Sequence, residues 1–259
     1  MTRLKRYLLL AHFIFTLFFI SFKLSAEITV RISMSPFEPF VLDTDPPSGI
    51  AIDMMELMNN FQDTYHFTFI MTTSVRRHKA FKNGLFEMSM FDNYKWGWEG
   101  FPVDVSKVYL KGGEIYVALA KPDRTQSYFK EFEQKRMIGM LGYHYGFADF
   151  NSDQSFLKER FHMSLTTNNL ATITMLLKDR GDIAVITESF FNQYLKNNQH
   201  MRNKFIRSNH YDQEYNHTII IRKGIKPSIE EINTLLEDME KAGILEPLWE
   251  SIGLQSVLK

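Results

Sequence analysis

Trp96 and Trp98 stand two residues apart in the stretch Asp92-Asn93-Tyr94-Lys95-Trp96-Gly97-Trp98-Glu99-Gly100, and no other part of the chain looks better suited to recognising a small molecule. Indole faces attract apolar and cationic groups, and Asp92 or Glu99 can pair with an amine. The same residues would also serve as a packed cover over a sheet edge. Upstream, Arg76 and Arg77 lie in Ser74-Val75-Arg76-Arg77-His78, at the expected start of a helix, where a cation opposes the helix dipole. That placement makes one of the two, with Arg76 chosen, a candidate anion contact, with a pair of solvated surface cations as the alternative. The chain has no cysteine, which removes thiol nucleophiles, thiolate metal sites and disulfides. It has no HExxH, GxSxG or P-loop motif, and His66, His78, His162, His200, His210 and His217 do not follow zinc-ligand spacing. No cofactor or metal is therefore expected. With 30 Lys plus Arg against 30 Asp plus Glu, there is no basic field for gripping nucleic acid.

These side chains need a scaffold, and the sequence supplies one after its first 26 residues. Arg3, Lys5 and Arg6 precede an apolar run from Tyr7 to Phe22 that ends in Leu24-Ser25-Ala26, the pattern of a cleaved export signal. Removing Arg3, Lys5, Arg6 and Lys23 leaves the remainder mildly acidic. A periplasmic address follows. An uncleaved membrane anchor is the alternative, since the apolar run is near the lower limit for spanning a bilayer.

From Ile28 onward, short β-rich runs alternate with amphipathic helical stretches, which predicts α/β architecture with mostly parallel sheets. Strands are expected over 28–33, 65–71, 86–91, 136–141, 162–166, 182–187 and 217–222. The positions Ala51, Met54, Met55, Met58 and Phe61 fall on one helical face. Ser74 is expected to cap a helix through Lys82 that Gly84 ends, and further helices are expected over 155–160 and 169–177. Thr167-Asn168-Asn169 reads foremost as an N-cap. Ser228 and Glu231 form a capping box for a last helix, with Ile229, Ile232, Leu235, Leu236 and Met239 on its buried face and Gly243 at its end.

The order of these signals resembles the extracellular solute-binding proteins of family 3. The carrying residues are Pro36-Phe37-Glu38-Pro39-Phe40 with Gly49-Ile50-Ala51-Ile52-Asp53, Gly84-Leu85-Phe86-Glu87, Val108 to Gly113 with Ile115 to Lys121, Arg180-Gly181-Asp182-Ile183-Ala184-Val185 and Ile219 to Gly224. The resemblance implies a two-lobed, periplasmic-binding-protein-like fold of type II, each lobe a mostly parallel sheet flanked by helices. Residues 27–118 and 215–259 would form one lobe and 119–214 the other, with crossovers near 118–122 and 209–215 acting as a hinge.

By the same resemblance Phe37 lies near the cleft, with Phe40 as readily a core residue. Gly142-Tyr143-His144-Tyr145-Gly146 occupies a ligand-facing loop of the second lobe, with Tyr143 as its contact. Glu188 approximates an acidic partner for a ligand amine, with Thr187 competing for the role. Asp182 reads as structural. Members of the family place a Ser or Thr and an Arg after the third strand, and 92–100 contains none of these. Ordinary amino-acid recognition is therefore expected to be weak, and an aromatic cleft of Phe37, Trp96, Trp98 and Tyr143, with Arg76 and Glu188 as charge partners, takes its place. The implied function is a monomeric periplasmic receptor for a small polar or aromatic, cationic solute, handed to an ABC-type membrane permease or a sensor. An enzyme on the same fold, dehydratase-like, and a degenerate signalling domain are the alternatives.

Overall fold

The computed structural model describes residues 27–132 and 134–258, so the export signal over 1–26 lies outside the described residues. The first half runs β1 (Ile28–Met34), α1 (Ile50–Phe61), β2 (Tyr65–Met71), α2 (Arg77–Lys82), β3 (Met88–Asp92), β4 (Val103–Val105) and β5 (Leu110–Leu119). The second continues with β6 (Met137–Met140), α3 (Gln154–Phe161), β7 (Ser164–Thr166), α4 (Asn169–Leu177), β8 (Ile183–Thr187), α5 (Glu188–Asn197), β9 (Phe205–Arg222), α6 (Ile229–Lys241) and α7 (Glu246–Ser251).

Among the described residues the strands hydrogen-bond in the order β2-β1-β3-β9-β5-β8-β6-β7, with β4 beside β9. β1 is parallel to β2 and β3, and β6 is parallel to β7 and β8, as βαβ units require. The antiparallel exceptions are β5 and β9, which pair from Leu110 with His217 to Leu119 with Phe205 and run through both halves of the molecule. Their ladder shifts register at Glu114 and Ile115. The apolar clusters part at the same place. Tyr109, Leu110, Ile219 and Ile221 pack with Val30, Met54, Phe67 and Ile232, while Ile115, Val117 and Phe205 pack with Ile173, Ile186 and Phe191. Two lobes thus share a two-stranded crossing.

Local sequence explains most elements. α1 buries Ala51, Met54, Met55 and Met58, although Phe61 at its end is exposed. Gly49 opens it at φ 115, where an added Cβ would stand 2.6 Å from the Phe40 carbonyl oxygen, so the preceding loop packs tightly over the helix start. α6 begins with the Ser228–Glu231 capping box and buries Ile232, Leu236 and Met239. Asn168 caps α4 by accepting from the Ala171 N–H at 2.7 Å. α2 departs from expectation. It starts at Arg77, no side chain caps it, and Thr73 rather than Ser74 offers its hydroxyl to the Arg76 N–H at 3.3 Å.

Candidate functional site

A cavity of about 50 Å³ lies where the two lobes meet. It is about a third of the ~150 Å³ that an engineered core void needs to hold benzene, so the lobes stand closed. The lobes come close at Gly142, φ 79, where an added Cβ would come within 2.9 Å of Val75 in the other lobe.

From the first lobe, β3 supplies four successive residues, Ser89, Met90, Phe91 and Asp92, to the cavity wall. A regular strand would present only alternate ones. Here Phe91 takes φ 52 and the pairing with β9 shifts between Ser89 and Asp92, so a bulge turns the strand end inward. The Tyr109 hydroxyl receives the freed Phe91 N–H at 2.7 Å. Asp92 accepts from the Ser89 hydroxyl at 2.8 Å and from the Asn93 N–H at 2.8 Å, and its Oδ2 stands 3.9 Å from Nε of Arg77. The Arg77 side chain is 9% exposed, and its Nη2 donates to the Trp96 carbonyl at 2.7 Å. Its Nε is buried without a hydrogen-bond acceptor. A guanidinium with a donor to spare beside a cavity is suited to an anionic group.

The other wall contains Glu114, Tyr143, His144 and Gln213. Glu114 sits at the crossing of β5, accepts from the Thr187 hydroxyl at 2.9 Å, and is pushed up to about 8 by burial, with the Asp212 charge adding to the rise. Burial therefore favours its protonated form over the carboxylate. Asp212 holds the loop that carries Tyr143 and His144, accepting from the N–H groups of Gly146 at 2.7 Å and Phe147 at 2.9 Å and from the Tyr116 hydroxyl at 2.6 Å. Burial, reinforced by Arg77, lowers His144 to about 3. The Tyr143 hydroxyl is buried without a partner, and burial raises it well above the usual tyrosine range.

Three of the residues expected from sequence meet here. The Phe37 ring lies 5.9 Å from Trp96 at 84° within its own lobe and 5.8 Å from Tyr143 at 86°, the second of these edge-to-face contacts joining the lobes. The Trp96 indole N–H donates to Gln213 at 3.1 Å, a further tie across the cleft. Phe40 is core, packed on Phe91.

Three others are placed elsewhere. Trp98 is 0% exposed and packs edge-on against Phe81 and His78 in a small cluster under β9, so it is a core residue that does not line the cavity. Arg76 is exposed, because the late start of α2 turns Arg77 inward in its place. Glu188 opens α5 and is held by Arg207 and by the Tyr211 hydroxyl at 2.6 Å, away from the cavity. The carboxyl that the second wall brings to the cavity, Glu114, gave no sequence signal, since it lies between Gly113 and an apolar run. Asp182 pairs with Arg136 at 3.0 Å at the entry to β8, the structural role expected of it.

No protein-family model matches the sequence, and no curated protein sequence matches it. Solved structures do. The ancestral amino acid-binding protein AncCDT-1, a precursor of cyclohexadienyl dehydratase, superposes with a TM-score of 0.63 at 19% identity, over 86% of this chain and 94% of its own. Tv2483 bound to L-arginine gives 0.68 at 14% identity over 89% and 93%. An ABC uptake transporter substrate-binding protein from Streptococcus pneumoniae with bound histidine gives 0.67 at 16% identity over 87% and 92%. The fold is therefore the two-lobed, periplasmic-binding-protein-like one that the resemblance in the sequence implied. No helix among the described residues is long and apolar enough to cross a membrane.

Proposed function

We propose that the chain is an exported receptor that closes its two lobes, which part along β5 near Glu114 and Ile115, on one small solute in the periplasm and hands it to a membrane permease or sensor. The observation that carries this reading is Arg77, a buried cation at the cavity wall with an unused Nε donor, facing a second wall that offers Glu114 and Tyr143. Arg77 holds an anionic group of the solute, Asp92 is its resident counter-ion, and Phe37, Trp96 and Tyr143 supply ring faces and edges. A solute of amino-acid size exceeds the closed cavity, so the Phe37–Tyr143 and Trp96–Gln213 contacts part to admit it. The fold is shared with proteins whose described ligands are amino acids, which supports solute capture as the general activity.

Native mass spectrometry of the protein as purified, followed by calorimetry with a panel of small carboxylates, amines and zwitterions, tests the proposal. One solute is expected to bind with 1:1 stoichiometry, and Arg77→Gln to weaken it about 10- to 100-fold through loss of charge-assisted hydrogen bonds. Unchanged affinity in Arg77→Gln would overturn the assignment. A second reading, catalysis, rests on Glu114 as a buried proton donor at the cavity. Conversion of the bound solute, visible as a product mass that Glu114→Gln abolishes, would establish it instead.

A further inference from the structure

At one end of the strand order stands β2, which pairs with β1 on one side and, among the described residues, with no strand on the other. Its ladder to β1 runs from the Ile28 N–H, donating to the Thr64 carbonyl at 3.0 Å, to the Thr72 N–H, donating to the Met34 carbonyl at 2.8 Å. The even-numbered residues of β2 therefore bond inward. Backbone groups alternate in direction along a strand, so those of Tyr65, Phe67, Phe69 and Met71 point out from the sheet edge. Two side chains at the end of α1 meet the first two of these. Asn59 accepts from the Phe67 N–H at 2.7 Å and donates to the Phe67 carbonyl at 2.8 Å. Gln62, the residue that follows α1, accepts from the Tyr65 N–H at 2.8 Å and donates to the Tyr65 carbonyl at 2.7 Å. A carboxamide carries an acceptor and a donor side by side, as a residue of a neighbouring strand does, so each amide imitates one hydrogen-bonded pair of a ladder. Among the described residues no such cover lies over Phe69 and Met71, and Met71 is 38% exposed.

We propose that Asn59 and Gln62 stand in for a missing strand and keep β2 from pairing with β2 of a second copy of this chain. β2 reads Tyr-His-Phe-Thr-Phe-Ile-Met, with no Lys, Arg, Asp, Glu or Pro. Edges are commonly blunted by lysine or proline, and an uncharged, β-prone run without them is the kind that pairs with its own copy. Two copies related by a two-fold axis would run antiparallel, and the longest register sets Tyr65 against Met71 and Phe67 against Phe69, in both directions. Each of those pairs includes one residue that Asn59 or Gln62 already holds. Two side chains thus close every pair of that register. The device lies at the outer edge of the first lobe and is independent of the cavity and of any solute.

Amide hydrogen exchange followed by NMR, together with sedimentation velocity of the purified protein, tests the proposal. In the wild-type protein the Phe67 amide is expected to exchange at least about tenfold more slowly than the Phe69 amide, although both point out from the edge. Asn59→Ala is expected to speed Phe67 at least about tenfold while the Thr68 amide, which bonds inward to β1, changes by less than about threefold. General loss of stability would move both amides together. The wild-type protein is expected to sediment as a monomer up to about 200 μM, and Asn59→Ala/Gln62→Ala to form dimers or larger species over the same range. Gln62 also accepts from the Thr64 N–H at 2.9 Å, so where the double variant does not fold, Asn59→Ala, which frees both Phe67–Phe69 pairs, takes its place in sedimentation. A wild-type Phe67 amide as fast as that of Phe69, a Thr68 amide accelerated as much as that of Phe67, or a folded variant that stays monomeric would each overturn the proposal.

Discussion

Glu114→Gln is expected to change the way stability depends on pH, and the direction follows from where the carboxyl sits. Glu114 is 2% exposed at the crossing of β5, with one hydroxyl donor from Thr187 and the Asp212 charge nearby. Its carboxyl is raised to about 8 in the folded protein, against 4.5 without the fold. Between those values the folded chain holds a proton that the unfolded chain has released. The stabilisation is complete below the unfolded value and is lost as pH rises through about 8. Glutamine is an uncharged isostere of the protonated acid and does not titrate. The wild-type protein is therefore expected to lose about 2 kcal/mol relative to Glu114→Gln from about pH 6.5 to about pH 9, at about 1.4 kcal/mol per unit over the steep part. His78, His144 and His217 also titrate with folding, but they do so equally in both proteins and cancel in the difference. Urea denaturation of both proteins across this range, with slopes checked for constancy, measures it. A difference that stays constant would mean that Glu114 is already ionised and satisfied at pH 6.5, and the reasoning from burial would fail.

Trp98→Ala is expected to cost about 3 kcal/mol, the low end for a buried tryptophan because its unpartnered indole N–H is removed as well, and to lower the melting temperature by about 6 to 12 °C. Trp96→Ala, which removes a half-buried ring and the contact to Gln213, is expected to weaken the solute by about 1 to 3 kcal/mol in calorimetry with a much smaller thermal shift. Ser228→Ala, which breaks the capping box of α6, is expected to cost about 1 kcal/mol in urea denaturation with no effect on solute affinity.

Elements with their own punctuation were legible in the sequence. β2 and α4 have the expected bounds because alternation, a capping asparagine and a burial stripe all agree there. α5 was missed because it follows β8 directly at Thr187, with no breaker or side-chain cap to mark the change of period. β5 was not marked as a strand, because Gly112 and Gly113 interrupt its apolar pattern. In the structure they are strand residues whose missing side chains make room for the Tyr215 and Tyr211 rings, at 2.5 and 2.4 Å from an added Cβ. At the site, Phe37, Trp96 and Tyr143 were readable as types in the right segments. The choices between Arg76 and Arg77 and between Trp96 and Trp98 were not, because each turns on one or two positions of phase. The helix start fixes the first choice, and packing against Phe81 and His78 fixes the second.

The pairing of β3 with β9 sets an order of assembly. The hydrogen bond from the Thr218 hydroxyl to the Asp92 carbonyl joins residues 126 positions apart, while every strand of the second lobe except β9 is made in between. At roughly 5 to 20 residues per second of synthesis, the inner edge of β3 waits roughly 6 to 25 s for its partner. During that time it is an open edge flanked by the apolar residues Met88, Met90 and Phe91, the kind of surface that recruits a foreign strand. The first lobe's sheet thus depends on the last-made strand, whereas the β6-β7-β8 core of the second lobe is built from more local pairings.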